Sequence, residues 1–151
     1  MNHHSRLTQL TAFDADYHQW SVEQARLLRE GKLDQLDRKH LAEEIEALGR
    51  SEKNEIKSRL IVLLVHLLKW KFQPERRGRS WKLTLKTQRN DLAEVIADNP
   101  SLKSFPKSVL LSCYDRALLE AEKETGLQLE TFPDVCPFTI EQIVDETFFP
   151  E

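Results

Sequence analysis

Cationic side chains between residues 69 and 89 are the part of this sequence best suited to chemistry. Eight lysines and arginines lie there with one acidic residue, and three aromatic residues are interleaved with them. Cations collected around the start of a helix can hold a phosphate or a carboxylate, because the free amides and the positive end of the helix dipole add to them. The sequence therefore predicts an anion-binding surface, which consists of Lys69, Arg76, Arg77, Arg79, Lys82, Lys86 and Arg89.

Two tryptophans in this stretch, Trp70 and Trp81, are candidates for stacking on bases, since aromatic rings and arginines together bind single-stranded nucleic acid. The sequence does not decide whether the partner is an acidic protein or a nucleic acid. A second interpretation pairs the cations within the chain or across a homo-oligomer. The charge is -1 over residues 1–68, +7 over residues 69–89 and -9 over residues 90–151, so the last stretch offers carboxylates for such pairing.

His66 supports an alternative function, because it precedes Lys69 and Trp70 by one helical turn. An enzyme acting on a phosphorylated or nucleic-acid substrate would use His66, Lys69 and Arg76 and would need the imidazole in a cleft. The structural alternative is a buried or half-buried imidazole with a backbone or carboxylate partner. No Gly-x-Ser-x-Gly motif and no glycine-rich phosphate loop is present. We therefore expect a binding or regulatory module without catalytic residues.

A further candidate is a metal site with histidine and carboxylate ligands, of the kind found in helix bundles. Its possible ligands are His40, Glu43, Glu44, Glu46 and His66. In one straight helix Glu44 and His66 would lie roughly 33 Å apart, and no Glu-x-x-His pair occurs. Cys113 and Cys136 belong to no Cys-x-x-Cys pair. We expect no metal and no cofactor.

Helices must position these residues, because apolar residues recur every three to four positions and no segment alternates as an exposed strand does. A long helix is predicted from Asp37 to Phe72, although Gly49 leaves a break conceivable. Its second half is apolar almost all round, which is typical of a helix with neighbours on most sides. Pro74 ends it. We predict an all-α fold: a compact bundle of four to six helices with one long, largely buried central helix.

The finer expectations concern helix ends and buried faces. Asp14 should cap the first helix and Gly31 should end it, and Asp34 or Asp37 should cap the second. Pro106 should begin a helix that ends at Thr125-Gly126, and Thr139 to Gln142 matches a capping box. Residues expected to face inward on the long helix are Leu41, Ile45 and Leu48, and those expected to be most buried are Leu60, Leu63, Leu64 and Leu67.

Chain length and hydropathy set the expected organisation. We expect one helical domain over residues 13–151 after a flexible segment, residues 1–12. The longest near-apolar run, Leu60 to Leu68, has nine residues, less than half of the ~20 that span a bilayer. A cytoplasmic protein without membrane association is the expectation.

Short motifs along the chain resemble a known family. They are Leu41 to Glu46, Leu48 to Glu52, His66 to Trp70, Gln73 to Arg76, Arg79 to Trp81, Gln88-Arg89, Asp98 to Leu102, Glu122 to Leu127 and Thr131 to Pro133. In this order they resemble a bacterial family catalogued as domain of unknown function twenty-nine, over roughly residues 12–150. The resemblance implies an α-helical fold and occurrence in cyanobacteria and proteobacteria. It gives no residue a catalytic role.

Overall fold

A computed structural model describes residues 9–151, which form six α-helices and no strand. The helices are α1 (Tyr17–Arg29), α2 (Arg38–Phe72), α3 (Arg79–Asp98), α4 (Phe105–Ser108), α5 (Leu110–Thr125) and α6 (Ile140–Val144). The predicted all-α class with one long helix is confirmed. Helix α2 runs without a break through Gly49. No helix among the described residues is long and apolar enough to cross a membrane.

The chain divides into two units, one up to Gly49 and one from Arg50 onward. Each unit has its own buried residues, and those of α2 all lie in the second unit. The expectation of a single domain over residues 13–151 stays a prediction. Of the predicted flexible segment, residues 1–8 lie outside the described residues.

Helix ends in the first unit follow from local hydrogen bonds. Asp16, not Asp14 as predicted, caps α1, because its carboxylate accepts from the amide of Gln19 at 3.0 Å. Gly31 follows α1 with a φ of 71°, a left-handed conformation that glycine adopts without the steric cost of a Cβ. Asp37 caps α2 as one of the two predicted residues, accepting from the amide of His40 at 3.3 Å.

Aromatic packing forms the centre of this first unit. Phe13 stacks on His40 with ring centroids 4.3 Å apart, and the buried Trp20 lies edge-on to Phe13. The Trp20 indole N–H and the His40 ring Nδ1 both contact the carboxylate of Asp37, at 3.0 and 2.7 Å. One carboxylate therefore caps α2 and joins α1 to it.

The predicted inward face of α2 is wrong in this first unit. Ile45 and Leu48 are 65% and 70% exposed, and Leu41 is half-buried. Within the unit, α1 is the only other α-helix among the described residues, so one side of α2 has no helix to cover it. The helical spacing of apolar residues identified an apolar stripe on α2, but it could not show whether another helix packs against that stripe.

The second unit has the larger core, and α2 is at its centre. Leu60, Leu63, Leu64 and Leu67 have no exposed surface, as predicted. Packed against them are buried residues from the other helices and the loop before α6; these are Leu85 and Leu92 of α3, Tyr114, Ala117 and Ala121 of α5, Phe132, Phe138 and Ile143. The Tyr114 hydroxyl donates to the carbonyl of Pro133, which ties that loop to α5.

Two further predictions concern helix ends in this unit. The helix expected from Pro106 to Thr125 is divided, because Val109 has φ -105° and ψ 4° and separates α4 from α5. Gly126 ends α5 with a φ of 72°, and Thr139 with Gln142 forms the predicted capping box of α6.

Candidate anion-binding site

A cavity of about 460 Å³ lies where the chain turns from α2 into α3. Helix α2 ends at Phe72 before Pro74, a 3-10 turn spans Pro74–Arg76, and α3 begins at Arg79. The residues that line the cavity are Trp70, Arg77, Gly78, Arg79 and Lys82. Three of these five residues are cationic, and none is acidic, so the cavity suits an anion.

Arg77 is the most firmly oriented cation of the cavity. Its Nε donates to the carbonyl oxygen of Trp70 at 2.6 Å, and its Cζ lies 5.3 Å from the centroid of the Trp70 ring. The two terminal NH₂ groups form no hydrogen bond with any described residue. These terminal groups are the planar pair that binds carboxylate or phosphate oxygens in a bidentate manner. The side chain is thus held in place while its terminal NH₂ groups stay available.

Arg79 and Lys82 complete the positive lining and are both exposed. Arg79 forms no ion pair within the part of the chain that the structure describes, and Lys82 places its Nζ 5.8 Å from the Trp70 ring centroid. No side chain caps the start of α3, and its first turn contains no acidic residue. The unpaired amides of that turn therefore add to the attraction for an anion.

The other predicted cations differ in their pairing. Lys69 binds Glu124 of α5 at 3.0 Å and lies over the Trp81 ring at 5.1 Å. Arg76 and Lys86 are exposed and form no ion pair with residues 9–151. Of the seven predicted anion-binding residues, Lys69 is thus the one with a salt bridge in the described chain. Internal pairing leaves most of this charge unneutralised.

Arg89 does not belong to the exposed surface, and its predicted exposure is wrong. The side chain is 3% exposed and donates to the carbonyls of Ile143 and Phe148 at 2.8 and 2.9 Å. Burial lowers the pKa of its guanidinium. The sequence contains a signal for this position, because Leu85 and Leu92 lie four residues before and three after it on the buried stripe of α3.

The two tryptophans are also less accessible than a stacking surface requires. Trp70 is 8% exposed, and its ring contacts Phe149 at a centroid distance of 4.9 Å in addition to the cations of the cavity. It therefore supports Arg77 and Lys82 and leaves little surface for a base. Trp81 is half-buried, and its stacking on a base stays a prediction.

His66 lies in a different cavity, of about 280 Å³, lined by Ser58, Ile61, Val62, Val65, His66, Arg116, Glu120 and Glu124. Its Nδ1 is 2.9 Å from the Val62 carbonyl, so Nδ1 carries the proton and Nε2 is an acceptor with no partner among the described residues. Burial lowers the pKa of His66. Arg76 does not line this cavity, so the predicted enzyme set of His66, Lys69 and Arg76 is not assembled in it.

Metal-ligating residues do not converge in the described chain. No group of three or more histidine, cysteine, aspartate or glutamate side chains among residues 9–151 could hold a metal ion. Glu44 accepts instead from the Tyr17 hydroxyl, and Cys113 is buried as a free thiol.

Comparison with known proteins gives a family. The chain matches the family described as Domain of unknown function DUF29 over residues 12–149. No curated protein and no solved structure matches the chain.

Proposed function

The chain belongs to the DUF29 family, and we propose that it is a non-catalytic binding or regulatory module that contacts an anionic partner through the cavity at the start of α3. The partner is an acidic protein or a nucleic acid. An acidic protein presents carboxylate oxygens and a nucleic acid presents phosphate oxygens, and one arginine can bind two oxygens of either group at once.

One observation carries this proposal: Arg77 is fixed at Nε and over Trp70 while its two terminal NH₂ groups stay unpaired. A side chain already held in its binding geometry loses less conformational freedom when a ligand arrives. Arg79 and Lys82 line the same cavity, so an anion there would meet three positive charges.

An enzyme is the second candidate, and the unpartnered Nε2 of His66 in its own cavity favours it. A neutral imidazole of this kind can accept a proton from a substrate. The free cations Arg76 and Arg79 do not line that cavity, and Lys69 is paired with Glu124. We therefore prefer the binding module, because its cations share one cavity.

The proposal is tested by titrating the full chain with three labelled probes: 20-nucleotide single-stranded DNA, a duplex of the same length and a 20-residue polyglutamate. Three phosphate contacts should give a slope of log K against log salt of about -2 on the single strand and about -3 on the duplex. Binding by polyglutamate alone would identify an acidic protein as the partner. Failure of all three probes to bind at low salt would contradict the proposal.

A further inference from the structure

Arg89 is a buried cation that forms no salt bridge with a described carboxylate. Asp145 and Glu146 attract its charge only at longer range. Its Nε donates to the carbonyl of Ile143 at 2.8 Å, and its Nη2 donates to that of Phe148 at 2.9 Å, with a longer contact of 3.5 Å to that of Gln142. A buried charge is costly unless it is hydrogen-bonded, so these carbonyls and Arg89 hold one another in place.

The carbonyls belong to α6 and to the residues that follow it, 145–151, which we call the 145–151 segment. This segment forms no helix or strand. A turn bond from the Phe148 amide to the Asp145 carbonyl shapes it, and Phe148 packs against Phe138 at a centroid distance of 6.1 Å. Without a regular hydrogen-bond ladder, the segment is held by the Arg89 bonds and by the packing of Phe148, Phe149 and the buried Pro150.

Phe149 connects this segment to the anion-binding cavity. The Arg89 Cζ lies 5.8 Å from the Phe149 ring centroid, and that ring is 4.9 Å from the ring of Trp70. The indole of Trp70 has Arg77 at 5.3 Å and Lys82 at 5.8 Å from its centroid. A continuous series of contacts thus leads from the buried Arg89 to two cations that line the cavity.

We propose that Arg89 is a positioning residue of the anion-binding cavity and acts through Phe149 on Trp70 and Arg77. This inference rests on the proposed function. Arg89 does not touch the anion but fixes the 145–151 segment. Phe149 of that segment then fixes the Trp70 ring. The ring and the backbone carbonyl of Trp70 together hold Arg77. A wrongly placed Phe149 would release the ring, and Arg77 would lose part of its orientation.

The test compares three variants of the full chain. Arg89→Lys keeps the charge but cannot reach the same carbonyls in the same geometry, and Phe149→Leu keeps apolar bulk but removes the ring. Leu92→Val is the matched control, because it trims the buried stripe of α3 one turn after Arg89, and Leu92 does not line the anion-binding cavity. The readouts are the nitrogen–proton resonances of the Trp70 indole and the Arg77 Nε, and the affinity for the DNA and polyglutamate probes.

Arg89→Lys and Phe149→Leu should shift both resonances and weaken probe binding about threefold to tenfold, the scale of aromatic and cation–π contacts. Leu92→Val should lower the thermal midpoint and leave both readouts unchanged. Should Arg89→Lys fail to fold, Phe149→Leu carries the test, because it leaves the Arg89 hydrogen bonds intact.

Three results would overturn the inference while the proposed function stands: unchanged binding by a folded Arg89→Lys, unchanged binding by Phe149→Leu, or an equal loss in Leu92→Val. If the wild-type chain binds no probe, the proposed function and this role of Arg89 both fail.

Discussion

Arg77 and Arg89 are the same residue type in the same basic stretch, yet their environments differ. The terminal NH₂ groups of Arg77 are unpaired at a cavity, whereas Arg89 is buried and donates from Nε and Nη2 to backbone carbonyls. The difference arises from position on α3: Arg89 lies between Leu85 and Leu92 on its buried stripe, and Arg77 precedes the helix. Charge alone therefore does not distinguish an arginine with free terminal groups from one that is bonded to backbone carbonyls.

Replacement of Arg77 by lysine tests the role of its planar group. Arg77→Lys keeps the charge but loses the Nε bond to Trp70 and the paired terminal NH₂ groups, so probe affinity should fall about fivefold to tenfold. Arg76→Lys is the matched control, because Arg76 is exposed and does not line the cavity. Anisotropy titrations at one salt concentration measure both. Equal losses in the two variants would show that the cavity is not the contact.

The half-buried imidazole of His66 should make stability depend on pH. Its pKa in the fold lies below the ordinary value of 6.5, because burial disfavours the charged ring. As pH falls through about 6.5, His66 becomes protonated in the unfolded chain before it does in the folded chain. The free energy of unfolding should therefore decrease as pH falls. His66→Gln, which keeps a hydrogen-bond donor, should lose less stability between about pH 7.5 and 5.5 in urea titrations. Equal losses would contradict the account of His66.

Among the elements, most helix ends were predictable because caps are local, although Asp16 and not Asp14 caps α1. Asp37, Gly31, Gly126 and the Thr139 capping box depend on backbone hydrogen bonds within a few residues. The break at Val109 has no such local signal. The exposed face of α2 at Ile45 and Leu48 could not be predicted either, because exposure depends on which helices are neighbours and not on the stripe itself.

Helix α2 offers a test of its central role with a control in the same helix. Leu64 has no exposed surface, so Leu64→Ala should reduce the free energy of unfolding by about 2 to 5 kcal/mol. Leu48 is 70% exposed, and Leu48→Ala should cost about 0.5 kcal/mol or less. Denaturant unfolding measures both. Similar losses for the two variants would mean that the second half of α2 is not the centre of the core.

At the scale of the whole molecule, the uneven charge distribution is the property that the sequence shows most directly. The cations that line the cavity all lie in one stretch, residues 69–89. The charge distribution could not show which cations are buried or paired, because Lys69 meets Glu124 and Arg89 meets the carbonyls of Ile143 and Phe148 only after distant segments come together. The acidic residues after position 90 neutralise little of that stretch.

The most direct test of the anion-binding cavity reverses two of its charges. Arg79→Glu with Lys82→Glu should abolish binding of the DNA and polyglutamate probes, since both residues line the cavity. The thermal midpoint should stay nearly unchanged, because exposed charges contribute only ~0 to 1 kcal/mol each. Lys107→Glu with Lys123→Glu is the control, with the same change in net charge at two exposed lysines outside the cavity.

The measurement is the affinity of both double variants and of the wild-type chain for the same probe, at one low salt concentration and beside a thermal melt. We predict a lost affinity for Arg79→Glu with Lys82→Glu, an affinity close to wild type for the control, and nearly equal melting temperatures. Equal affinity losses in the two double variants, or unfolding of the Arg79 and Lys82 variant, would contradict the account.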